Sequence, residues 1–127
     1  MDSYVFDPVE DAFVTYLKGM QPAKVVTNVP STRPVKFIQL ERVGGTVGLV
    51  RDSPLMLFRC WDVSRAAAAK FATDTMRQVS MVRTLGGLPV YNKRVVGGPV
   101  FMPDPDSGDA RYQFTFQCDV RGKFPSP

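Results

Sequence analysis

The chain has no histidine and only two cysteines, Cys60 and Cys118, in 127 residues, and these shortages remove much familiar catalytic chemistry. Without an imidazole there is no His general base, no Ser-His-Asp or Cys-His nucleophile pair, and no ligand for most zinc sites. Two cysteines alone cannot close a zinc cage. Each falls within a predicted strand rather than in a Cys-rich frame, so both are expected as small core residues of a protein kept in a reducing compartment. No apolar run approaches the roughly 20 residues of a membrane span, and Met1-Asp2-Ser3-Tyr4 lacks the basic and apolar regions of a secretory leader. Assembly in a cytoplasm, away from any membrane, is the expectation. Strong charge is missing too: 16 Lys and Arg stand against 12 Asp and Glu, with Lys93-Arg94 the only adjacent basic pair. That surface tolerates nearby polyanions, including DNA in transit, but forms no basic stripe of the kind nucleic-acid binders show.

What the chain does have is enough apolar content, 44%, for one domain with a real core. A first helix is signalled by Asp7 as N-cap, Pro8 at the first helical position and Glu10 three residues after the cap. Val9, Phe13, Tyr16 and Leu17 make its apolar stripe, and Gly19 suits a left-handed C-terminal position. Strand-formers follow at residues 23–29, and the stiff connector Pro30-Ser31-Thr32-Arg33-Pro34 leads into a second strand at 35–43. A long glycine-bearing connection at 44–53 then leads to a third strand at 55–61.

Ser64 caps a second, alanine-rich helix running to about Met81, with Ala68, Phe71, Ala72, Met76 and Val79 on its buried face. After Gly86-Gly87 come a fourth strand at 88–96, a loop opening at Gly97-Gly98-Pro99, and a fifth strand at 112–121. The tail, 123–127, has no partner signal and is expected to fray. The fold expected is α+β: a mostly antiparallel sheet of about five strands with two helices on one face, in the order helix, three strands, helix, two strands. Residues 1–122 form a single domain.

Other chemistry fails on inspection. The glycine pairs lack both the Gly-Lys-Ser/Thr ending of a phosphate loop and dinucleotide-fingerprint spacing, so they read as turns. Asp104, Asp106 and Asp109 alternate in a glycine-containing loop, but Asp109 and Thr115 stand where a calcium loop needs Gly and Glu. They are expected to cap backbone N–H groups in a solvated turn. No enzyme activity, cofactor or metal is expected. Tyr112, Phe114 and Phe116 would stack bases only if exposed, and sharing a face with Cys118 and Val120 points them into the core. The third strand is apolar on both faces, Leu55, Leu57 and Trp61 against Met56, Phe58 and Cys60. Its second cover is either another subunit or the interior of this one.

The run Pro30 to Pro34, the strand ending Arg59-Cys60-Trp61, the Ala-rich helix, and Gly97-Gly98-Pro99 through Pro103-Asp104-Pro105-Asp106-Ser107-Gly108 to Arg111-Tyr112-Gln113-Phe114 together resemble the tail terminator proteins of long-tailed phages (siphoviruses) infecting actinobacteria. The resemblance covers about residues 7–122 and is most specific over 103–114. It implies a small α+β subunit that forms a ring with itself, hexameric in that family, at the head-proximal end of the tail in the virion. Such a ring ends tail-tube polymerisation and gives the head connector a docking surface, with genomic DNA passing through its lumen without specific binding. The partners implied are the major tail tube protein and the head-tail connector or stopper. The nearest alternative is another head-tail joining protein, and a nucleic-acid-binding domain is more distant. The candidate contacts with neighbouring subunits, tube or connector are Arg33, Arg59, Trp61, Gly45, Val47, Arg51, Asp104, Asp106 and Arg111. The arginines suit carboxylates across an interface.

Overall fold

The computed structural model describes residues 8–48 and 50–121; the Asp7 cap and the tail at 123–127 lie outside the described residues. The element order is α1 (Pro8–Lys18), β1 (Lys24–Val26), β2 (Phe37–Val47), β3 (Arg51–Trp61), α2 (Arg65–Ser80), β4 (Thr84–Leu85), β5 (Leu88–Phe101) and β6 (Arg111–Arg121). The fold is α+β, with a six-stranded sheet ordered β1-β2-β3-β6-β5-β4 and curled into a half-barrel. The expectation of about five mostly antiparallel strands is corrected in two places. First, β1 pairs with β2 in parallel, Lys24 opposite Phe37. A three-residue strand needs only a short return, and the proline-bearing connector supplies it; Gln39 then donates to the Thr27 carbonyl at 3.0 Å. Second, β4 forms a short hairpin with the start of β5 through Gly86 (φ 57°) and Gly87 (φ 80°), the left-handed pair that a two-residue hairpin turn requires.

Two sequence-expected loops are largely strand. The stretch 44–53 is a continuous β2–β3 hairpin, broken only between Val47 and Arg51, with a register shift between Arg42 and Gly44. Likewise β5 runs on through Gly97, Gly98 and Pro99 to Phe101, absorbing them in register shifts against β6. At Gly97 a Cβ would lie 2.8 Å from the Thr115 hydroxyl, which explains the small residue there.

Both helices bury their stripes in one core. Val9, Phe13 and Leu17 of α1 and Phe71, Ala72 and Val79 of α2 meet Ile38, Leu40, Met56, Phe58, Cys60, Phe114, Phe116 and Cys118 of the sheet. Phe13 sits edge-on to Phe58 at 5.5 Å and to Phe116 at 6.3 Å, while Phe58 stacks on Phe114. The β6 aromatics Phe114 and Phe116 are thus interior, while Tyr112 is half-buried beside Phe101. Ser64 caps α2 as its sequence predicts, its hydroxyl accepting from the Ala67 N–H at 3.1 Å. Gly19 is not left-handed; α1 ends instead in tight turns, with the Met20 and Gln21 N–H groups donating to the Leu17 carbonyl before Pro22. Glu10, read as a capping-box residue, reaches sideways, its carboxylate accepting the backbone N–H of Arg42 at 2.8 Å.

No described helix is long and apolar enough to cross a membrane.

Candidate interaction site at the Trp61 corner

Alternation along β3 sends Met56, Phe58 and Cys60 to the helices and Leu57, Arg59 and Trp61 to the opposite face. On that second face the chain builds its own small apolar layer. Trp61, 2% exposed, stacks on Phe37 with ring centroids 4.3 Å apart and planes within 10°, and Leu57, four residues earlier on the same face, is also buried. The two-sided apolarity of β3 at this end is therefore satisfied within one subunit.

The cover is the β5–β6 connection, and one carboxylate organises it. Asp104 Oδ1 accepts the backbone N–H groups of Asp106 (2.9 Å) and Ser107 (3.3 Å), an Asx-type turn made by the side chain. Its other oxygen accepts from Arg33 Nη1 at 2.6 Å and, at 3.4 Å, from the Trp61 indole N–H. The Asp104 backbone closes the turn, donating to the Asp109 carbonyl at 3.1 Å and accepting from the Gly108 N–H at 2.8 Å, with Gly108 left-handed at φ 74°. Asp104 ends 6% exposed. The Asp106 N–H, with Arg33 and the further donors, holds its carboxyl down at about 2 despite the opposing effect of burial.

Three guanidiniums rim this corner. Arg33 comes from the stiff connector and also approaches Asp109 at 3.7 Å. Arg59 donates to Gln39 and pairs with Glu41. Arg111 lies over the Trp61 ring, its Cζ 5.2 Å from the centroid, and its Nε donates to the Met102 carbonyl at 2.8 Å. Burial, then the neighbouring positive charges of Arg59 and Arg33, push its pKa down. Five of the sequence-selected residues, Arg33, Arg59, Trp61, Asp104 and Arg111, thus meet in one place, with Asp106 on the exposed rim. Arg33 and Arg59 pair directly with carboxylates inside the chain, whereas Arg111 is held by a ring and a carbonyl and feels the Asp104 carboxylate through space.

The remaining three, Gly45, Val47 and Arg51, lie at the opposite end of the sheet, around the β2–β3 turn. Gly45 has a backbone role: at φ 95°, a Cβ would stand 2.0 Å from the Ser53 carbonyl oxygen. Val47 and Arg51 line a shallow cleft of about 240 Å³ with Val50, Ser53 and Tyr91. Beside it is a network that sequence reasoning missed. Asp119, 9% exposed, accepts from Ser53 Oγ at 2.6 Å and Asn92 Nδ2 at 2.9 Å, bonds that lower its pKa, and Arg51 approaches at 3.9 Å. The available signal was Asn92, a residue type that tolerates left-handed backbone, found here at φ 51°.

Chemically, the corner displays fixed charge. Asp104 stays ionised throughout the neutral range, and burial pushes both the Cys60 and Cys118 thiols up to about 12, where neither is a thiolate. No protein-family model and no curated protein matches this chain.

Proposed function

We propose that the protein is a phage tail terminator: copies close into a ring that caps the tail tube, ends its growth and offers the docking surface for the head connector. It works by assembly, without catalysis, and DNA passes through its lumen. The observation that carries this reading is the conformation of 103–114, the part of the sequence most specific to the resemblance. That run does not hang from the sheet. Asp104 pins it to Arg33 and Trp61, so it forms a rigid ledge with Asp106, Asp109 and Arg111 along its rim.

A surface ordered before its partner arrives loses less entropy on binding, which suits a ring that must dock a connector in one orientation. Trp61 is too buried to touch a neighbour, so the contact falls on the ledge covering it. Arg111 is its anchor for an incoming carboxylate.

The test is complementation of a phage whose copy of this gene is disabled, with tails viewed by electron microscopy. The unchanged protein is expected at the head-proximal tail end. Arg111→Glu combined with Asp106→Lys is expected to leave tubes overlong or headless while the purified variant still unfolds cooperatively, its midpoint lowered by the lost Trp61 and Met102 contacts. Normal-length tails carrying heads with that variant would overturn the ledge assignment, and absence of the protein from the tail end would overturn the function.

A further inference from the structure

Among the described residues, each lateral edge of the sheet is covered at one end and open in its middle, and the two open stretches lie at the same height. On one side β1 covers only Phe37 to Gln39 of β2. On the other, β4 and the Val90 N–H to Arg83 carbonyl bond cover only the start of β5. Pairing partners run across the sheet in rows, Arg42–Met56–Phe116–Val95 and Gly44–Leu55–Gln117–Arg94. The open stretch of β2 around Val43 therefore lies level with the open stretch of β5 around Val95.

The chemistry of the two stretches is complementary. The β2 edge shows Val43, 47% exposed, beside the Glu10 carboxylate and an exposed Asp11. The β5 edge shows Val95 at 38% and Val96 at 55% beside exposed Lys93 and Arg94. Three antiparallel pairings separate the strands, so β2 and β5 run in opposite directions. A second copy in the same orientation thus offers its β5 antiparallel to β2 of the first.

We propose that these edges bind each other between copies, Val43 against Val95 and Val96, and Glu10 and Asp11 against Lys93 and Arg94. The contact is heterologous: each copy uses two different patches, as ring closure demands. It rests on the ring reading for its closure, but not for the pairwise contact itself. Side chains carry it, because Pro99 and the register shifts of β5, with Glu10 occupying the Arg42 N–H, prevent simple strand addition.

Two single variants test this without knowledge of the exact register. Val43→Asp blocks one edge and Val96→Asp the other, each at an exposed position where a melt verifies the fold. By sedimentation at millimolar concentration the unchanged chain is expected to associate. Each variant alone is expected to stay monomeric, its self-association weakened roughly 100-fold. Their equimolar mixture is expected to give a one-to-one heterodimer, since one intact edge of each kind remains.

Association of either variant alone, a mixture without dimer, or an unchanged chain that stays monomeric overturns the edge proposal. If rings still form with both variants, the ring reading stands and the edges are wrong. If the unchanged chain makes open chains while the mixture gives dimers, the edges stand and the ring reading falls.

Discussion

The two turns at opposite ends of β3 differ in length, polarity and constraint. The β2–β3 turn is short and apolar, and its valines stand in the open, Val47 at 76% and Val50 at 60% exposed. Among the described residues, a Gly48 N–H to Arg51 carbonyl bond at 2.7 Å closes it. The β5–β6 connection is long and crowded with Pro, Asp and Gly, yet its central carboxylate is 6% exposed and receives donors from three separate parts of the chain. Loop length therefore says little about order here. What decides it is whether a side chain near the middle finds partners in elements already fixed by the core.

That contrast predicts unequal sensitivity to substitution. The largest effect belongs to Trp61→Ala, which removes the stack on Phe37 and the floor under Arg111. About 3–5 kcal/mol of stability should be lost in urea unfolding followed by circular dichroism. A loss under about 1 kcal/mol would mean the ledge closes over the gap and the corner is not a packed unit.

Next comes Asp104→Ala, expected to cost about 2 kcal/mol through the loss of charge-assisted bonds. The same carboxylate gives the ledge a pH signature. Its folded pKa of about 2 lies below the ordinary 3.8, so its stabilisation is complete above the ordinary value and disappears as pH falls through about 2. Melting temperatures of the unchanged protein and the Asp104→Ala variant should therefore converge across that acid window, and a constant gap would contradict the assignment.

The smallest effect is at the other turn, where Val47→Ser with Val50→Ser should change stability by less than about 0.5 kcal/mol. A larger loss would show that the apolar turn is held by contacts within the subunit.

Local chemistry made much of the fold legible. The Ser64 cap, the alanine-rich helix, Pro8 at the start of α1 and the alternation of β6 all depend on near neighbours in sequence, and each stands where its residues place it. What escaped depends on distant partners. Val26 does not announce that its strand runs parallel to β2, and Thr84-Leu85 is too short to signal a strand until Gly86 and Gly87 turn it back on β5. The glycines at 44–48 and 97–98 look like loops because local propensity sees their flexibility but not the strands that pair with them.

The site divides in the same way. The residue types at the Trp61 corner were legible, but that Arg33 would meet Asp104 across 71 positions, inside the chain rather than across an interface, was not. The network of Ser53, Asn92 and Asp119 was missed for the same reason.

Trp61 is the only tryptophan in the chain, and the ledge is what lies over it. The protein therefore carries its own optical label at the surface proposed to dock a partner. Indole emission will report the lifting, clamping or wetting of that ledge in a mixture with any tryptophan-free partner. A change at the β2–β3 turn, at the far end of the same strand, will stay dark until the whole sheet comes apart.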